Sequence, residues 1–134
     1  MPTLKIATAC FLNDKQELLV VRKKNTAVWM LPGGKLDVNE TPTEALIREL
    51  QEELQIEIDA STLRFIGSFD AIAANEADTF VNAQAFLARL PTGKTPIHGA
   101  EIAEMKWLPL SMSTQSDIAP LLRDSIIPSL QAMQ

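Results

Sequence analysis

The chain has one cysteine, one histidine and fewer basic than acidic side chains, and each scarcity excludes something. Cys10 alone can form neither an internal disulfide nor a multi-cysteine zinc site, and its apolar neighbours mark it as a small buried hydrophobe. With 12 Lys and Arg against 17 Asp and Glu, the net charge is −5. That balance argues against a nucleic-acid polymer as partner, because such a surface needs a basic patch. A small nucleotide is not excluded, since a bound divalent cation can supply the missing positive charge. No apolar run is long enough to span a membrane, and the N-terminus lacks the order of a signal peptide, so the cytoplasm is the default location. His98, in a loop rich in Pro and Gly, reads as an exposed bystander.

What is present reads as a single domain over residues 1–134, with room for one real core. Leu4 to Leu12 and Glu17 to Arg22 are short apolar strands joined by the turn residues Asn13, Asp14 and Lys15, which predicts a hairpin. Val28 to Leu31 is a brief extended piece stopped by Pro32, Gly33 and Gly34. Further strands are expected over Leu63 to Ala73, with Gly67 marking a bulge or close approach, over Thr79 to Leu90, and over Glu101 to Leu108. A final helix capped by Ser116 or Asp117 should bury Leu121, Leu122 and Ile126, with Pro128 ending or kinking it. The fold class is α+β: a mixed sheet sandwiched between helices.

The chain is organised around residues 33–56. Thr41, Pro42 and Glu44 are N-cap, first-turn proline and capping-box partner of a helix that should reach Leu54. Its apolar stripe is Leu46, Ile47, Leu50 and Leu54. Beside that stripe, Glu49, Glu52 and Glu53 stand at i, i+3 and i+4 and share one face. Three like charges with no interspersed base repel one another, so the pattern points to a hard cation. Taken alone, a merely solvated face would be the better reading of three glutamates.

The wider spacing reverses that judgement. Gly34 is followed after five residues by Glu40, then after seven by Arg48-Glu49-Leu50-Gln51-Glu52-Glu53-Leu54-Gln55-Ile56. This resembles the Nudix box, GX5EX7REUXEEXGU with U a bulky aliphatic residue, and departs from it only at Gln55, where the box has its last glycine. Trp29 to Gly34 is similar to the family's lead-in, and Glu104 to Leu108 to a strand common near its C-terminal end. Gln55 removes no ligand, but a left-handed residue there costs on the order of 1 kcal/mol relative to glycine.

The resemblance implies a Nudix fold and a Mg²⁺-dependent pyrophosphohydrolase, with Mn²⁺ as a substitute. It assigns metal binding to Glu49, Glu52 and Glu53 and gives Arg48 the task of fixing the site through a carboxylate, while Gly34 would either lend its carbonyl to the metal or let the loop fold back against the helix. Glu40 would act through water or by holding Arg48. Glu52, Glu53 and Glu101 all remain open as the general base. Arg22 and Lys35 are candidates for phosphate, although a solvated surface explains each as well. Trp29, Phe69 and Phe80 read as packing residues before base platforms, and Asn75 and Glu76 as a plain turn before a substrate contact.

The implied substrate is a small nucleotide: a nucleoside diphosphate linked to another group, preferably a nucleoside triphosphate, oxidised ones included. ADP-ribose or a nucleotide sugar is the alternative. A non-catalytic module of the same fold that only binds a nucleotide is the rival of another class, and loss of a box glutamate would favour it; none is lost. Homodimers are common in the family, but no interface is legible here.

Overall fold

The computed structural model describes residues 3–73, 78–91, 93–97, 99, 101–112 and 117–133. Asn75, Glu76, His98 and Ser116, all singled out above, lie outside them. Strand β1 (Thr3–Phe11) is followed by β2 (Glu17–Lys23), β3 (Trp29–Met30) and β4 (Gly33–Lys35), and then by helix α1 (Pro42–Leu54). Strands β5 (Arg64–Ile72), β6 (Phe80–Ala88) and β7 (Ile102–Pro109) precede a π-helical segment, Leu122–Ile126, that leads into α2 (Ile127–Ala132). This is the mixed α+β fold expected, with its strands divided between two sheets.

The division corrects the predicted hairpin. Asn13 does make the turn, its Oδ1 accepting from the Lys15 and Glu17 N–H groups at 3.0 and 2.9 Å. Yet β1 and β2 share only the single bridge Leu12 to Leu18. Both edges of β1 are already taken, by β4 antiparallel and by β6 in a nine-residue parallel ladder, Thr3 to Phe80 through Phe11 to Ala88. The first sheet therefore runs β4-β1-β6-β5, while β2 joins a second sheet, β3-β2-β7. The extended piece does end before Pro32, but Gly33 and Gly34 then open a strand that was not expected, β4, whose Gly34 pairs with Ala7 of β1. The register of β5 against β6 shifts between Phe65 and Gly67, the irregularity expected at that glycine.

Alternation along the strands divides the core in two. Ala7, Ala9 and Phe11 of β1, with Leu19 and Val21 of β2, bury the α1 stripe of Leu46, Leu50 and Leu54. Cys10, Leu18 and Val20 point the other way, toward Ile118, Leu122, Ile126 and Leu130 of the C-terminal segment. Burial pushes the Cys10 thiol up to about 12, as an inert core cysteine requires.

The last helix differs from expectation in both its start and its end. Helical structure begins at Pro120 and passes through Pro128 to Ala132. Pro128 lies inside this continuous helical run, and the wider π-helical turn before it accommodates the ring and the missing N–H. Leu121, Leu122 and Ile126 are buried as predicted.

Candidate active site

Helix α1 is fixed at both ends. At its start the Glu44 N–H donates to Thr41 Oγ1 at 3.1 Å, and the Thr41 N–H donates to Glu44 Oε1 at 2.9 Å. At its end Gln55 adopts the left-handed conformation, φ 55° and ψ 40°, and its N–H donates to the Gln51 carbonyl at 3.1 Å. The loop before β7 closes over the same end: Ile97 N–H donates to Leu54 O at 2.9 Å and Gly99 N–H to Glu53 O at 2.6 Å. Glu101 follows two residues later, so the helix terminus positions the loop that carries it.

The glutamates of α1 differ sharply in setting. Glu53 is 5% exposed, and its Oε1 accepts from the Gly33 N–H at 3.0 Å. Burial pushes its acid up to about 7; the charges of Glu49 and Glu101 push the same way, against the Gly33 N–H and Lys23. The Glu49 acid is also raised, first by burial and further by Glu52, with Arg48 opposing. Glu49 lies directly over Gly34, where a Cβ would stand 2.4 Å from its carboxyl carbon. Only a glycine permits that approach. The Glu52 side chain is more than half exposed.

Arg48 locks the glycine loop to the helix. Its Nε and Nη2 donate to the two Glu40 oxygens at 2.8 and 2.9 Å, Nη1 to Glu49 Oε1 at 2.9 Å, and Nη2 also to the Lys35 carbonyl at 3.0 Å. The hydrogen bonds from Arg48 hold the Glu40 acid down to about 2, helped by the Asp37 N–H, and Glu40 in turn raises the Arg48 pKa. Both residues are spent on geometry rather than on a ligand.

A cavity of about 500 Å³ opens beside Glu49 and Gly34. Lys23, Lys24, Lys35 and Glu101 line it together with an apolar wall that includes Leu4, Ile6, Leu31, Val81 and Leu121. The structure thus brings Gly34, Lys35, Glu49 and Glu101 to one opening, with Glu53 buried beneath it. Arg22 is not part of that wall. Its Nε donates to Glu104 Oε1 at 3.0 Å, Nη2 makes a close ion pair with the same oxygen, and Nη1 donates to the Thr26 carbonyl at 2.7 Å. Trp29 is buried in the core with the Lys106 ammonium 4.2 Å from its ring centroid, and it does not line the cavity.

Lys23 and Lys24 were missed in the sequence, although for Lys23 a signal existed. Leu19 and Val21 face α1, so strand alternation carries Lys23 to the same side and Arg22 to the other. Lys23 is close enough to lower the acids of both Glu49 and Glu53.

Among the described residues, no three carboxylates, histidines or cysteines converge into a ready-made cation cage. Mg²⁺ does not require one, because it keeps waters and binds through one or two carboxylates plus phosphate oxygens. The donors present fit such an ion: hard carboxylate oxygens, one of them buried among like charges that a cation would relieve.

The comparisons with known proteins agree with this geometry. A structure of the MutT protein from Methanosarcina mazei Go1 superposes with a TM-score of 0.80 at 22% identity, over 99% of this chain and 96% of that one, which establishes the fold. The NUDIX domain model matches residues 3–128, and the chain belongs to the Nudix family. An 8-oxo-dGTP diphosphatase from Proteus vulgaris is 44% identical over 59 residues, 44% of this chain and 48% of that protein. An RNA pyrophosphohydrolase from Stutzerimonas stutzeri (strain A1501) is 44% identical over 45 residues, 34% of this chain and 28% of that protein. The chain thus spans about half the length, or less, of these relatives. Nudix hydrolases generally use divalent metal ions.

Proposed function

We propose that this protein hydrolyses the pyrophosphate link of a small nucleotide in which a nucleoside diphosphate is joined to another group. Nucleoside triphosphates, including oxidised ones, are the preferred class, giving the monophosphate and pyrophosphate. The observation that carries this reading is the common opening of Glu49, Gly34, Glu101 and three lysines onto a cavity with an apolar wall. The acidic groups suit a cation and its phosphates, and the apolar lining suits a base.

Glu49 and Glu53, with Glu52 and the Gly34 carbonyl, would hold Mg²⁺, for which Mn²⁺ substitutes. When bound, that ion supplies neutralisation of phosphate oxygens and a more acidic water. The protein does the rest. Lys23, Lys24 and Lys35 draw the phosphates to the opening, and the apolar wall keeps bulk water from the base. Arg48 and Glu40 keep the glycine loop at a fixed distance from α1 and are positioning residues. Among the candidate bases, Glu101 lines the cavity, whereas Glu53 is buried and Glu52 does not line it. The proton from the attacking water therefore goes to Glu101. The alternative substrates, ADP-ribose or a nucleotide sugar, use the same groups and differ only in what fills the wall.

A panel of nucleoside triphosphates, ADP-ribose and nucleotide sugars with Mg²⁺ or Mn²⁺, scored by the phosphate product released, tests this reading. At least one compound should be cut at its pyrophosphate link by the wild type and not by Glu53→Gln. Tight binding without cleavage of any would replace the enzyme with a nucleotide-binding module.

A further inference from the structure

One polar group on the cavity wall is used by nothing described so far. Thr8 lies on β1 between Ala7 and Ala9, paired with Gly33 on one side and Ala85 on the other. It lines the cavity, is 3% exposed, and its Oγ1 has no hydrogen-bond partner. A buried hydroxyl without a partner opposes folding, and valine would fill nearly the same volume without that penalty. Its neighbours along the wall, Leu4, Ile6, Leu31, Val81 and Leu121, offer contact area but no direction. The other uncharged hydroxyl among the described lining residues, that of Thr26, already donates to the Lys23 carbonyl at 2.8 Å.

We propose that Thr8 is a specificity-determining residue whose hydroxyl hydrogen-bonds a polar atom on the edge of the nucleotide's base, an inference that rests on the cavity's being the nucleotide site. The charged lining side chains, Lys23, Lys24, Lys35, Glu49 and Glu101, take the phosphates. Thr8, paired with Gly33, stands where that charged rim meets the apolar side chains of Leu4, Ile6, Val81 and Leu121, against which the base is placed. A turn about χ1 exchanges the hydroxyl and methyl of threonine in nearly the same space, so Oγ1 reaches the side that lines the cavity without repacking. A wall otherwise apolar holds any flat base; the one group able to donate and accept decides which edge is preferred.

The experiment measures kcat/KM of the wild type, Thr8→Val, Thr8→Ala and Thr8→Ser on nucleoside triphosphates with different bases and on a ribose triphosphate lacking a base. Removing one neutral hydrogen bond should cost Thr8→Val and Thr8→Ala about 3- to 10-fold on the best nucleotide, through KM, and flatten the ranking of bases. Thr8→Ser should keep the wild-type ranking, the base-free compound should be unaffected in every variant, and ligand-free Thr8→Val should melt no lower than the wild type. If the valine and alanine variants keep the wild-type ranking, or lose equally on the base-free compound, Thr8 does not read the base, whatever the enzyme's reaction. A wild type that cuts no member of the set overturns the functional reading itself, and this inference with it.

Discussion

Glu53 combines two properties that oppose each other in the free protein: it is 5% exposed, and its acid is pushed up to about 7. A folded-state pKa above the unfolded value means that the folded protein binds the proton more tightly. Its stability therefore falls as pH rises from the ordinary glutamate value of 4.5 to about 7 and stays reduced above that. The displacement corresponds to about 3 kcal/mol at most. Metal-free Glu53→Gln should thus melt higher than the wild type at pH 8 and lose that advantage near pH 4, in a thermal melt across the range. Glu40 shows the opposite sign. Held down to about 2 by Arg48, it contributes stability above 4.5 that disappears as pH falls toward 2. Glu40→Gln should flatten the acid limb of the same profile. The box spacing made the clustering of the carboxylates and the Arg48–Glu40 contact legible, because both are local to one helix and its preceding loop. Thr8 and the Arg22–Lys23 division were hidden, since both depend on which face of a strand meets a partner distant in sequence.

Helix α1 is the element that turns the spacing into a site. Gln55 holds a left-handed conformation that costs an L-residue about 1 kcal/mol relative to glycine. Gln55→Gly should raise the unfolding free energy by roughly 0.5–1 kcal/mol in a urea titration and leave kcat/KM unchanged, because no ligand is touched. The capping box, the apolar stripe and the helix end at Leu54 were all legible, being short-range. Pro128 was not. It reads from sequence as ending or kinking the helix, yet the helix continues through it after a π-helical segment whose buried residues pack into the core.

The loop closing over α1 gives a second test at the level of elements. A Cβ on Gly99 would lie 2.5 Å from the Glu52 carbonyl. Gly99→Ala should therefore move the loop that carries Glu101, lowering kcat by tenfold or more on the order of a misplaced catalytic group, with the melting temperature only modestly reduced. An unchanged kcat would detach Glu101 from the reaction.

Over the whole molecule, two sheets and two core clusters set α1 and the C-terminal segment on opposite sides of the strands, with the cavity reached from both. The α+β class and every strand except β4 were readable from alternation and turn residues; β4 is three residues long, two of them glycine, and carries no such pattern. The split into two sheets was not, because a nine-residue parallel ladder between β1 and β6 is a contact across more than half the chain, and together with β4 on the other side it denies β2 an edge of β1. Among the described residues no helix is long and apolar enough to cross a membrane.

If the Glu49–Glu53 face of α1 serves pyrophosphate hydrolysis through a bound divalent cation, as proposed, both the metal and Glu53 are indispensable. The most direct test is product analysis by ³¹P NMR on the nucleotide panel with Mg²⁺, comparing wild type with Glu53→Gln. The account predicts pyrophosphate-bond cleavage of at least one nucleotide, lowered at least about a thousandfold in Glu53→Gln and abolished when the metal is chelated. Equal cleavage by the variant, or cleavage that persists in excess chelator, would contradict it.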